Sequence, residues 1–131
     1  MPHPVLVVRL LVLASLVGVA GLAAGCGGSA ATGDVEKIKV TLSQFDVTVS
    51  NTSGTTLNEV VVEIAPTGPA THFVARIGRM SNNETRSIAH SGFSDRDSVP
   101  FSLRTAKPHS VIVSGTGVDG TPVRVEVPFK L

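Results

Sequence analysis

The chain has two regions that differ in how hydrophobic and polar residues are arranged. Residues 10–25 form an apolar run that contains no charged residue. From residue 36 onward, apolar and polar residues alternate, as Ile38, Val40 and Leu42 do with the polar residues between them. A period of two is typical of strands that are buried on one face. The first region therefore has the pattern of a targeting segment, and the second has the pattern of a β domain.

Seven to eight short strands are predicted in the second region, and turn residues separate them. Asp119-Gly120 lies between two β-rich runs and is a strong hairpin signal. No helical period longer than one turn occurs. We therefore expect an all-β, antiparallel β-sandwich, with strands near residues 36–42, 45–49, 57–64, 71–77, 84–90, 101–103, 111–113 and 123–127.

The alternation slips by one residue at Ser43-Gln44 and resumes with Phe45, Val47 and Val49. A slip of one residue moves side chains to the other face of a sheet. The pattern predicts a bulge or a change of sheet near Gln44, with Phe45 directed inward.

The segment Glu84–His90 alternates poorly and is polar on both faces, which predicts an edge strand. Domains of this architecture recruit partners by adding a strand at such an edge. The candidate partner residues are Glu84, Arg86, Ile88 and His90. The alternative is an edge whose charges, Glu84 and Arg86, only protect it from pairing.

The apolar run has the features of a secretory signal peptide. Arg9 precedes it and the small residues Ala23-Ala24-Gly25 end it. A membrane-spanning helix needs roughly 20 apolar residues, and the glycines in this run weaken a helix. We predict that residues 1–25 are a cleaved signal peptide, that residues 26–34 are a flexible tether, and that residues 35–131 are the folded domain.

Leu22-Ala-Ala-Gly-Cys26 resembles the lipobox of bacterial lipoproteins. The resemblance implies cleavage between Gly25 and Cys26, a diacylglyceryl group on the Cys26 thiol and an acylated amino group. The family most often has leucine three positions before the cysteine, where this chain has Ala23. Two or more acyl chains on one residue, at ~0.8 kcal/mol per buried CH₂, give a stable anchor. The implied location is the extracytoplasmic side of the cell membrane or the outer membrane.

The segment Val49–Leu57, followed by an alternating strand, resembles the small immunoglobulin-like or fibronectin-III-like domains of bacteria. Those domains often have an Asn-x-x-Gly turn between their early strands. The resemblance implies an immunoglobulin-like sandwich, although the paired cysteines and the tryptophan of antibody-type domains are missing.

Charge and cysteine content restrict the partners and the chemistry. After residues 1–25 are removed, ten Lys and Arg face ten Asp and Glu, so no basic excess favours a nucleic-acid partner. Cys26 is the only cysteine, so no disulfide can form within the chain. No motif of a catalytic nucleophile or a phosphate-binding loop occurs. We expect no enzyme activity and no cofactor.

Three histidines, His72, His90 and His109, follow the predicted cleavage site on three separate segments. Surface histidines are the simpler interpretation, since compact metal motifs place ligands one helical turn apart. Asp95 and Asp97 lack the acidic spacing of a dedicated calcium loop. We expect a membrane-anchored, non-catalytic envelope module that binds an envelope protein. The alternative is a lipoprotein that binds a small ligand or metal ion through these histidines.

Overall fold

The computed structural model describes residues 31–131, which form eight strands and one 3₁₀ turn. The 3₁₀ turn, His90–Gly92, follows the sixth strand. The strands are β1 (Thr32–Gly33), β2 (Ile38–Leu42), β3 (Asp46–Asn51), β4 (Leu57–Pro66), β5 (Phe73–Met80), β6 (Thr85–Ala89), β7 (Pro108–Gly117) and β8 (Pro122–Pro128).

The strands form two antiparallel sheets. One sheet has five strands in the order β1-β8-β7-β4-β5, and the other has three in the order β2-β3-β6. The predicted all-β antiparallel sandwich is confirmed. The hairpin predicted at Asp119-Gly120 joins β7 to β8, where the N–H of Gly117 donates to the carbonyl of Thr121 over 2.8 Å.

The core lies between the two sheets and consists mostly of β-branched residues. Val47 and Val49 of β3 face the five-stranded sheet and are fully buried. Their neighbours across the sandwich come from every second position of the central strands, as expected for strands buried on one face. The central strands contribute Val60, Val62, Ile64, Val111, Val113, Val123 and Val125.

The sandwich has two ends, because each strand runs opposite to the one before it. We call proximal the end at which the chain enters β1, and distal the opposite end. The proximal end carries the connections 43–45, 67–72 and 90–107 and residues 129–131, whereas the distal end carries 34–37, 52–56, 81–84 and 118–121.

Asn51 connects three parts of the distal end. Its side chain is completely buried. The Nδ2 amide donates to the carbonyl oxygens of Thr55 (2.7 Å), Met80 (3.1 Å) and Ser81 (3.1 Å). Oδ1 accepts hydrogen bonds from the Ser53 N–H (3.0 Å) and the Ser53 hydroxyl (2.6 Å). This amide therefore ties the turns 52–56 and 81–84 to the end of β3 through five buried or partly buried hydrogen bonds.

The bulge or change of sheet predicted near Gln44 is wrong. β2 and β3 are neighbours in one sheet, and a tight turn joins them. The Ser43 hydroxyl accepts the N–H groups of Phe45 (3.1 Å) and Asp46 (3.0 Å), which closes the turn. Phe45 is consequently 78% exposed rather than directed inward. The alternation slipped because residues 43–45 form a turn, where side chains do not alternate between the two faces of a sheet.

The strand predicted at residues 101–103 is also wrong. The N–H groups of Thr105 and Ala106 both donate to the Ser102 carbonyl, over 3.1 and 3.0 Å, so the chain turns there. Phe101 is nonetheless buried, and Leu103 is exposed. The apolar alternation that predicted a strand arose from one core residue and one surface residue of a loop.

The folded part includes residues assigned above to the tether. Thr32 and Gly33 pair with Glu126 and Val125 of β8. The Asp34 N–H donates to the Arg124 carbonyl, and the Arg124 N–H donates to Asp34 Oδ2, each over 2.9 Å. β1 therefore fixes the direction in which the chain enters the domain.

Replacing Gly33 by alanine is expected to separate β1 from β8. Gly33 has a φ of +90°, and a Cβ there would overlap the carbonyl oxygen of Arg124. We expect a loss of about 1–3 kcal/mol in the free energy of unfolding, together with faster hydrogen exchange at Arg124. Gly54→Ala is the matched control, since Gly54 also has positive φ but open space around it. Equal effects of the two substitutions would show that the close approach to Arg124 is unimportant.

Candidate interaction edge

β6 forms one edge of the three-stranded sheet. It pairs with β3 in an antiparallel register that runs from Asp46 opposite Ala89 to Ser50 opposite Thr85. Among residues 31–131, no strand pairs with its other side. The segment predicted to be an edge strand therefore lies at a sheet edge.

Alternate residues of β6 direct their backbone groups away from β3. The His90 N–H donates to the Phe45 carbonyl, and the Asn51 N–H donates to the Glu84 carbonyl, both over 2.9 Å. In an antiparallel pair, hydrogen-bonded positions recur at every second residue. The even-numbered residues therefore bond β3. The N–H and C=O groups that point outward belong to Thr85, Ser87 and Ala89.

The even-numbered side chains lie on the core side of the sheet, because they are opposite the buried residues of β3. Arg86, opposite Val49, is nonetheless exposed, and its Nε donates to Glu84 Oε2 over 2.7 Å. Charges that point inward at an edge discourage unspecific pairing. Ile88, opposite Val47, is packed against the core and partly exposed.

The outer face of this edge is lined by hydroxyl groups. Ser87 and Thr48 lie 3.3 Å apart, and Thr85 and Ser50 lie 2.8 Å apart, measured between their hydroxyl oxygens. These cross-strand hydrogen bonds hold β6 on β3 without an apolar patch on the outer face. The exposed part of β6 that could bind a partner is therefore its backbone edge.

A cleft of about 350 Å³ opens at the proximal end of β6. It lies between the turn that carries Phe45 and the loop that carries Leu103 and Arg104. Ala89 and His90 also line the cleft, and Ala89 carries one pair of the outward backbone groups of β6. The cleft is thus continuous with the edge strand.

His90 belongs to an aromatic cluster and is only 9% exposed. Its ring packs edge-on against Phe101 at 5.4 Å and lies 6.1 Å from Phe129, and Phe101 also packs against Phe73 at 5.2 Å. Nε2 is buried without a hydrogen-bond partner. Of the four candidate edge residues, His90 is therefore the most deeply buried, whereas Ile88 is only partly buried.

The turn that presents Phe45 includes a hydrogen bond to the carboxylate of Asp46. The Ser43 hydroxyl donates to Asp46 Oδ1 over 2.7 Å, and this hydrogen bond, with a smaller contribution from Ser87, lowers the pKa of Asp46. A carboxylate with a lowered pKa in the folded state stabilises the fold above its unfolded pKa. That contribution is lost as the pH falls through the folded pKa.

The three histidines are not gathered into a metal site. His72 Nδ1 lies 3.2 Å from Glu63 Oε2 on the outer face of the five-stranded sheet, and His109 lies near the start of β7. No group of three His, Cys, Asp or Glu side chains that could hold a metal ion occurs within the described part of the chain. Asp95 instead accepts the N–H groups of Asp97 and Val99, each over 2.9 Å, and shapes its own loop.

The predicted lipidation and cleavage positions, Cys26 and Gly25, lie outside the described residues. No helix in the described range, residues 31–131, is long and apolar enough to cross a membrane. No family model, curated protein or solved structure matches this chain.

Sequence reasoning identified the edge strand but missed the exposed Phe45 and the cleft beside it. The only signal was the Ser43-x-x-Asp46 spacing, in which a serine hydroxyl can close a turn around the residues between them. The loop 101–104 gives no local sign that it approaches Phe45, because the two segments are far apart in sequence.

Proposed function

We propose that this protein is a bacterial lipoprotein, anchored through Cys26, that recruits an extended segment of another envelope protein at β6. The observation that carries the proposal is the row of outward backbone groups on Thr85, Ser87 and Ala89. Each of these residues offers one N–H and one C=O, which is the arrangement that an added strand pairs with.

Several features of β6 favour a selective partner over unspecific pairing. The strand has only five residues, and the Glu84–Arg86 ion pair places charges among the even-numbered side chains on its core side. An added strand would place alternate side chains beside Arg86 and the partly exposed Ile88, so that these two residues discriminate between partners. Main-chain hydrogen bonds would then provide affinity, and contacts with Arg86 and Ile88 would provide specificity.

The role proposed is non-catalytic and uses no cofactor. It requires the domain to be held near the membrane, where the partner is also held. Confinement of both proteins to one surface raises their effective concentration, so that a short edge suffices for binding.

Ser87→Pro is expected to abolish partner binding without unfolding the domain. Proline removes an N–H that points away from β3, and proline is tolerated at edge strands in that orientation. We expect at least about tenfold less of the crosslinked envelope partner from intact cells, with an unfolding midpoint that falls only slightly through loss of the exposed Ser87–Thr48 hydrogen bond. Ser87→Thr, which keeps the N–H, is the matched control and should capture the partner normally.

Cys26→Ser provides the unanchored comparison in the same experiment. Partner capture that is equal for Ser87→Pro and Ser87→Thr would reject β6 as the binding edge. A Ser87→Pro chain that is destabilised would be replaced by Thr85→Pro, whose N–H also points outward.

A further inference from the structure

The direction of β1 determines which end of the domain lies toward the anchor. β1 is antiparallel to β8, with Thr32 opposite Glu126 and Gly33 opposite Val125. Going back from Thr32 toward Ala31, the chain therefore moves toward Pro128, where β8 ends. That is the proximal end of the sandwich.

The chain between the anchor and the domain is short. Only four residues, 27–30, separate Cys26 from Ala31. Fully extended, the distance between the Cα atoms of Cys26 and Ala31 is at most about 17 Å. The ten residues of β4 span roughly 33 Å along the sandwich. While β1 stays paired, this connection is too short for the distal end to reach the lipid.

The proximal end carries most of the large apolar side chains that the domain exposes. Phe45, Val99, Leu103 and Leu131 lie there, whereas the distal connections carry Val35 and Val118. Phe45 is the most exposed of them, and the Ser43 turn holds its backbone in place. An exposed aromatic ring on a fixed turn is suited to the boundary between headgroups and acyl chains.

The two ends also differ in charge. The proximal connections contain four cations (Arg96, Arg104, Lys107 and Lys130) and two carboxylates (Asp95 and Asp97), and Asp46, which closes the turn of Phe45, adds a third carboxylate. Within the distal connections, four carboxylates (Asp34, Glu36, Glu84 and Asp119) face one cation (Lys37). An anionic lipid surface attracts the first end and repels the second.

We propose that the proximal end docks on the surface of an anionic lipid bilayer, with Phe45 and Leu103 in the interface and Arg104 and Lys107 at the phosphates. The proposal extends the lipoprotein assignment made above and rests on it for the short connection between the lipid and the domain. Docked in this way, the strands stand along the membrane normal. The outward edge of β6 then faces sideways, toward other proteins in the same membrane.

Tryptophan fluorescence tests this orientation, because the chain contains no tryptophan of its own. The full chain would carry either Phe45→Trp or Val118→Trp, two exposed apolar sites at opposite ends. The protein purified from membranes would be placed in phosphatidylethanolamine–phosphatidylglycerol vesicles containing lipids brominated near the headgroup. We expect roughly half of the fluorescence at position 45 to be quenched and almost none at position 118.

Charge reversal distinguishes electrostatic docking from the closeness to the lipid that the short connection alone would impose. Adding Arg104→Glu and Lys107→Glu to Phe45→Trp should reduce quenching in anionic vesicles, but should change it little in neutral phosphatidylcholine vesicles. Leu103→Trp replaces Phe45→Trp if the latter alters the unfolding midpoint. Equal quenching at both ends, or stronger quenching at position 118, would overturn the proposal.

The mass of the purified chain distinguishes failure of the anchor from failure of docking. A chain with the diacylglyceryl mass that shows no quenching at position 45 would overturn docking and leave the lipoprotein assignment intact. A chain without that mass would reject the assignment. The Cys26→Ser, Phe45→Trp double variant with excess anionic vesicles then decides whether the proximal end binds lipid by itself, and absence of quenching at position 45 overturns docking.

Discussion

Cys26→Ser is expected to move the protein from the membrane fraction to the soluble extracytoplasmic fraction. Serine lacks the thiol that would receive the proposed diacylglyceryl group, so no acyl chains would hold the protein in the bilayer. We expect at least about a tenfold fall in the membrane-bound share after a carbonate wash, measured by quantitative immunoblotting of the fractions. The mass of the wild-type chain should begin at Cys26 and include the lipid.

Ser29→Ala is the matched control for this experiment, because it alters a small residue of the same segment and leaves the thiol in place. It should remain in the membrane fraction. Retention in the membrane of a Cys26→Ser chain that has lost residues 1–25, or a wild-type mass without lipid, would contradict the assignment of Cys26 as the anchor.

Asn51→Ala is expected to cause the largest loss of stability among substitutions of polar residues. It would remove the hydrogen bonds that the side chain donates to the Thr55, Met80 and Ser81 carbonyls, and those that it accepts from Ser53. We expect the free energy of unfolding to fall by about 3 kcal/mol, measured by urea denaturation of the full chain.

Asn82→Ala controls for the loss of an asparagine from the same end. Asn82 is exposed, and its side chain makes no hydrogen bond with the described residues. Its substitution should change stability by less than about 0.5 kcal/mol. Asn51→Asp should destabilise at least as much as Asn51→Ala, since a carboxylate would face three carbonyl oxygens. Similar curves for Asn51→Ala and Asn82→Ala would refute the role of Asn51.

The strands were predictable wherever a single face is buried. In β2 and β3, buried residues such as Ile38, Val47 and Val49 alternate with polar residues on the outer face of the sheet. The edge position of β6 was predictable for the complementary reason, since a strand with few neighbours needs few apolar residues. The Asp119-Gly120 hairpin was predictable because its turn chemistry is local.

The remaining features depend on contacts between distant segments. Asn51 looks like an ordinary turn residue, and its role emerges only when the turn after Met80 is folded against it. His90, Phe101 and Phe129 meet from three separate parts of the chain. The cleft beside Phe45 likewise has walls that are more than fifty residues apart in sequence. No periodic pattern encodes such pairings, because each is set by how the sheets stack.

The two-residue strand β1 has a mechanical consequence for a tethered domain. A pull from the proposed anchor would act along β1 and shear its two-residue ladder with β8, while the seven paired positions of β7 and β8 would share the same load. We expect β1 to yield first under force. Residues 32–37 would then be released and would lengthen the connection to the lipid by about 20 Å. The core would stay paired, so a domain anchored and bound as proposed would follow a moving partner away from the bilayer before it begins to unfold.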